Sequence, residues 1–206
     1  MVCTEGQHRP AENVTLSSPA RRESAKRILD LAQELGALRF GDFTLSSGEK
    51  SAYYFDDRLI SLHPAGIQEI SAAFLPLVLE SKAQAVGGPT IAADPIVGGL
   101  TLLSGQQGHP LKGFLVRSQA KDHGMGKQIE GPLEDGTDVA IVDGVLSTGS
   151  SMFTAIDAAE ARGCRVVRVL AILDRHQGGS RKLLERGYDF VTLLEATPRG
   201  EIRIAG

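Results

Sequence analysis

The sequence predicts an α/β protein: a central, mostly parallel sheet flanked by helices, with a small N-terminal hairpin region set against it. Three observations carry that prediction. Short apolar runs rich in Val, Ile and Ala recur through the second half of the chain, each bounded by turn residues, as buried parallel strands are. Helix-compatible stretches separate them, which implies βαβ units with right-handed crossovers. Before this pattern begins, residues 40–58 (FGDFTLSSGEKSAYYFDDR) carry aromatic and β-branched residues around Ser-Ser-Gly, the signature of two short strands and a turn.

Taken in order, residues 1–17 are polar and aperiodic and are expected to form a loose tail, leaving 18–206 as one domain. Ser18-Pro19 reads as an N-cap with proline in the first helical position. Ala25, Ile28, Leu29, Ala32 and Leu35 follow at helical spacing, and Gly36 closes the helix. After the hairpin, a helix is expected over Pro64–Ser81, with Pro76 kinking or ending it. Strands are then expected at Ala85–Gly88, Gly113–Arg117, Val139–Asp143, Arg165–Leu173 and Phe190–Leu194, with an Ala/Gly-rich helix reaching about Gly105. Residues 118–138 lack hydrophobic periodicity and are rich in Gly, Lys, Asp and His. A loop of that length in a compact domain is usually functional or disordered.

Composition narrows the class. The 206 residues can bury a substantial core, 23% are charged, and the formal net charge is −3. That balance favours neither nucleic acid nor a membrane surface as a partner. No apolar segment approaches the roughly 20 residues needed to cross a bilayer. The cysteines, Cys3 and Cys164, are far apart and show no metal-ligand spacing, so a reducing cytoplasmic setting is expected.

Four segments can carry chemistry. In Val139–Ser151 (VAIVDGVLSTGSS) an apolar strand breaks into a carboxylate, a glycine and a run of small residues before a helix. Backbone N–H groups of Thr148–Ser151 can close around an anion at the helix N-terminus. Asp143 falls at the carboxyl end of a strand, where open α/β sheets bind ligands. A carboxylate beside a phosphate cradle suits a sugar phosphate. The second segment, Arg117–Lys127 (RSQAKDHGMGK), gathers Arg117, Lys121, Lys127 and His123 with two glycines, as a cationic lid over a polyanion would. In the third, Tyr53, Tyr54 and Phe55 could set an aromatic face against a planar ligand. The fourth is Arg175, after Leu173-Asp174, which could offer a planar fork to a carboxylate. Each also has an ordinary structural explanation, namely a capping turn, a solvated loop, a hairpin core or a surface ion pair.

In combination these segments are similar to those of orotate phosphoribosyltransferases, type I phosphoribosyltransferases of pyrimidine synthesis. The resemblance covers roughly residues 19–195 and rests on FTLSSGEKSAYYFDDR, GGPTIAADPI, VRSQAKDHGMGKQIEG, VDGVLSTGSS and LDR. It implies transfer of ribose 5-phosphate from phosphoribosyl pyrophosphate (PRPP) to orotate with Mg²⁺, in a homodimer. It implies that Asp143 holds the ribose hydroxyls, that Ser147, Thr148, Gly149, Ser150 and Ser151 hold the 5′-phosphate, and that Gly144, Val145 and Leu146 belong to the same substrate-binding loop. Arg117, Lys121 and His123 would grip pyrophosphate, Ser147 and Arg175 would contact orotate, and Tyr54 and Phe55 would line the base pocket. The resemblance points to Lys121, His123 and Asp143 for catalysis, and to a metal held mainly through substrate oxygens.

The chain departs from that pattern at Gly144, where the family's loop normally carries a second acid, and at Ser118, where its lid normally carries a lysine. Ser46 also replaces a frequent lysine. Two alternatives therefore stand beside the main reading: transfer to a different base, or nucleotide binding without catalysis. On the second alternative, Gly144→Asp with Ser118→Lys is expected to create or raise activity.

Overall fold

The computed structural model describes residues 18–44, 50–119 and 128–206. The tail expected over residues 1–17, the hairpin turn, and the lid residues Lys121, His123 and Lys127 lie outside the described residues. Helix α1 (Pro19–Glu34) leads into strands β1 (Leu38–Thr44) and β2 (Lys50–Phe55), then α2 (Arg58–Ser61) and α3 (Pro64–Glu80). The α/β region follows as β3 (Ala85–Pro89), α4 (Asp94–Gln106), β4 (Lys112–Val116), β5 (Ile129–Glu130) and β6 (Asp138–Leu146). It ends with α5 (Ser150–Glu160), β7 (Arg165–Asp174), α6 (Gly179–Glu185), β8 (Phe190–Ala196) and β9 (Ile202–Ile204).

β1 and β2 pair antiparallel as a separate hairpin. The other seven strands form one sheet in the order β5-β4-β3-β6-β7-β8-β9. Its five central strands are parallel, and only the short edge strands β5 and β9 run antiparallel. Strand alternation explains why helices cover both faces. Ala140 and Val142 join a core with Ile28, Phe74 and Ile96 from α1, α3 and α4. Val139 and Ile141 point the other way, into a core with Met152, Ala155 and Ile156 of α5.

Three sequence expectations need correction. Pro76 does not end α3, which continues to Glu80. Pro76 and Ala72 both lie on the exposed face, so the carbonyl that loses its helical partner can turn to water. β6 does not stop at Asp143 but continues through Gly144 to Leu146, where Val145 and Leu146 keep pairing with Leu173 and Asp174 of β7. Arg58, expected in the hairpin, instead opens α2. The short elements β5, α6 and β9 had no expectation attached to them.

Candidate active site

At the carboxyl ends of the strands, Gly144 of β6 lies against Asp57 and Arg175 after β7 against Tyr53 of the hairpin, while Pro89 of β3 lines a cavity with the loop after β6. Gly149 is the N-cap of α5 and has φ +87°, a left-handed conformation that glycine adopts without the steric cost of a side chain. A Cβ there would also lie 2.9 Å from the Phe153 ring. α5 has no side-chain cap, so its first N–H groups face the loop. The neighbouring connection fixes the loop's shape: Arg175 N–H donates to Leu146 O (2.9 Å) and Gly179 N–H to Ser147 O (2.9 Å). A cavity of about 500 Å³ opens over this turn, lined by Val145 and Ser147–Ser151 together with Pro89, Thr90 and Ser118. Ser118 thus borders the cradle, although it brings no charge.

Asp143 is 4% exposed and is tied to the cavity lining through Ser151. Its Oδ1 accepts from the Gly144 N–H (2.7 Å) and its Oδ2 from the Ser151 hydroxyl (3.1 Å). Burial outweighs both bonds and, with the nearby Asp57 carboxylate adding to the effect, raises its pKa to about 7. Asp57 is 7% exposed and has a pKa pushed up to about 6, chiefly by burial. A Cβ built on Gly144 would sit 1.9 Å from Asp57 Oδ2, so that carboxyl group occupies the space of a side chain at 144. An acid introduced at 144, as in the double change Gly144→Asp with Ser118→Lys, would have to displace the Asp57 carboxyl group from this space.

At the end of β7, Asp174 is buried and accepts from the His176 N–H (2.8 Å). His176 lies between Asp174 and Glu195, with ring nitrogens 3.2 and 3.1 Å from their carboxylates. Arg175 is thereby directed toward the hairpin, where its guanidinium lies 5.0 Å from the Tyr53 ring centroid. Its buried Nε has no partner among the described residues. Burial raises the Tyr53 pKa, and the nearby Arg175 cation opposes that effect.

The aromatic residues divide by strand phase. Tyr53 and Phe55 share one face of β2 and are buried, whereas Tyr54 is 39% exposed and tilts against Phe43. Phe55 packs in the main core, so the ring that meets Arg175 is Tyr53. Arg117 donates to Glu130 (3.0 Å), an exposed pair of the kind worth at most about 1 kcal/mol and easily exchanged for another anion. Sequence reasoning offered Tyr53 only as one of three aromatics, without its pairing to Arg175, and did not single out Asp57. The adjacent Asp-Asp-Arg run was the available signal for the second.

No protein-family model matches this sequence. Among curated proteins, the orotate phosphoribosyltransferase of Rhodopirellula baltica is 42% identical over 183 residues, covering 86% of this chain and 94% of that protein. The chain belongs to the orotate phosphoribosyltransferase family. The Nostoc orotate phosphoribosyltransferase is 39% identical, with 80% of each chain covered. Among solved structures, Mycobacterium tuberculosis orotate phosphoribosyltransferase in complex with Fe(III) dicitrate superposes with a TM-score of 0.70 at 31% identity, covering 86% of this chain and 97% of that one. The same enzyme in complex with PRPP gives a TM-score of 0.67 at 29% identity, covering 86% and 96%. The family consists of pentosyltransferases that move ribose phosphate from PRPP to orotate, and this chain shares its α/β fold.

Proposed function

We propose that this chain performs that transfer with the loop after β6 holding the ribose 5-phosphate and Arg175 holding the acceptor. The observation that carries this reading is the cavity of about 500 Å³ over Ser147–Ser151, open to the α5 N-terminus. Backbone N–H groups there suit the 5′-phosphate. Arg175, with an unpartnered Nε over the Tyr53 face, suits a planar base bearing a carboxylate.

Displacement at the anomeric carbon leaves positive charge on the ribose and negative charge on departing pyrophosphate. Arg117, Lys121 and His123 would receive that negative charge, and Asp143 would hold the ribose hydroxyls, so no covalent nucleophile is needed. Carboxylates are hard oxygen donors of the kind Mg²⁺ takes, but both Asp143 oxygens already accept hydrogen bonds, so the ion would be held mainly through substrate oxygens. The metal would supply charge neutralisation on the pyrophosphate. A homodimer is the assembly that the family resemblance implies. Cys164 is a free, buried thiol, which fits a reducing cytoplasm, and among the described residues no helix is long and apolar enough to cross a membrane.

Incubating the pure protein with orotate, PRPP and Mg²⁺ should yield orotidine 5′-monophosphate and pyrophosphate. Lys121→Ala should lower that rate by about 100-fold, the scale of losing one transition-state charge contact. Product formation by wild type no faster than by Lys121→Ala would refute the assignment.

A further inference from the structure

The Asp57 carboxyl group is buried with only part of its hydrogen-bonding capacity used. It occupies the N-cap position of α2 but makes no side-chain capping bond. The adjacent cation is committed elsewhere, since Arg58 pairs with both oxygens of Asp56 at 2.8 and 3.1 Å. Asp57 Oδ2 is buried with no hydrogen-bond partner among the described residues. Such an oxygen costs stability unless something else brings it a donor. It lies against Gly144, next to Asp143 and immediately before Val145, where the lining of the phosphate cavity begins. Gly144 and Asp57 are mutually dependent: any side chain at 144 would displace the carboxyl group, and the carboxyl group fills the space that a side chain would take.

We propose that Asp57 is the second carboxylate of the ribose subsite, delivered by the β2–α2 turn into the space Gly144 leaves open, where it accepts a hydrogen bond from a ribose hydroxyl. The sugar is then held by Asp143 from β6 and Asp57 from the hairpin side, rather than by two neighbours on one loop. This rests on the loop's being the ribose 5-phosphate site.

Calorimetric titration with ribose 5-phosphate and with inorganic phosphate, both in EDTA, tests the assignment without a metal. Wild type should bind both. Asp57→Asn keeps the shape and removes the charge; it should weaken ribose 5-phosphate by about 10-fold or more while leaving phosphate unchanged, because phosphate fills the cradle without presenting hydroxyls. Gly144→Asp alone should also weaken ribose 5-phosphate, and adding Asp57→Gly should recover much of the loss, since the carboxylate has only changed its point of attachment. If wild type binds neither ligand, the ribose site is misassigned and the proposal falls with it. If wild type binds both and Asp57→Asn binds ribose 5-phosphate equally well, or loses both ligands in parallel, the role of Asp57 alone is overturned.

Discussion

At the scale of single residues, the site is governed by which polar atoms lack partners. Arg175 has its Nε buried and unpaired while its guanidinium plane faces the Tyr53 ring. A carboxylate in the ring plane of the acceptor could take two parallel N–H bonds from that fork, which an ammonium group cannot supply. Arg175→Lys should therefore raise the KM for orotate by about 10- to 150-fold, the equivalent of one charged hydrogen-bonding contact, with little change in the KM for PRPP. Tyr53→Phe should be nearly neutral, since the ring face is kept, whereas Tyr53→Ala should also weaken orotate. Steady-state kinetics with each substrate varied in turn measure this, and an unchanged orotate KM in Arg175→Lys would remove Arg175 from the acceptor site.

At the scale of elements, the parallel strands were legible because burial on both faces leaves continuous apolar runs, as in Val139–Val142 and Val169–Leu173. Their ends were less so. β6 continues past its charged residue because Asp143 and Gly144 are covered from both sides, Asp143 by Ser151 and Gly144 by Asp57, and neither cover is visible in local sequence. Strand phase in Tyr53-Tyr54-Phe55 was equally hidden, since three consecutive aromatics satisfy either face. The extent of α3 was legible, but the helix-breaking rule did not hold at Pro76, because its penalty depends on whether the freed carbonyl is buried. That dependence is itself testable. Pro76 is exposed and interior to α3, so Pro76→Ala restores a helical N–H without disturbing the core. It should stabilise the protein by about 1–3 kcal/mol, seen as a higher Tm with unchanged activity. A lower Tm would mean that the proline makes packing contacts worth more than the missing hydrogen bond.

At the scale of the whole molecule, folding brings two carboxyl groups from distant parts of the chain into one poorly solvated place, and this couples stability to pH. Asp143 has its pKa raised from 3.8 to about 7 and Asp57 from 3.8 to about 6, burial being the largest cause in both. Asp56 disfavours ionisation of Asp57, which in turn disfavours that of Asp143, while Arg58 is the cation that opposes Asp56. Between about pH 4 and pH 7 the folded chain keeps protons on these groups that the unfolded chain has released. Their contribution to stability is therefore present at low pH and is lost as pH rises toward 7. A tenfold difference in proton affinity between the folded and unfolded chain corresponds to about 1.4 kcal/mol, so the pair can dominate the slope in this window even after allowance for coupling between them. Asp143→Asn removes one titrating group, and the Tm difference between variant and wild type should shift in the variant's favour as pH rises from about 4 to about 7 and level off above that. Ribose hydroxyls donate to ionised carboxylates, so ligand binding should favour the charged forms and expel protons. Near pH 6.5, calorimetry of ribose 5-phosphate binding in buffers of different ionisation enthalpy should register release of up to about one proton per site from this pair. That release should shrink in Asp143→Asn. Proton release that is the same in wild type and variant would separate the titrating carboxyls from the ligand, leaving their burial a matter of folding alone.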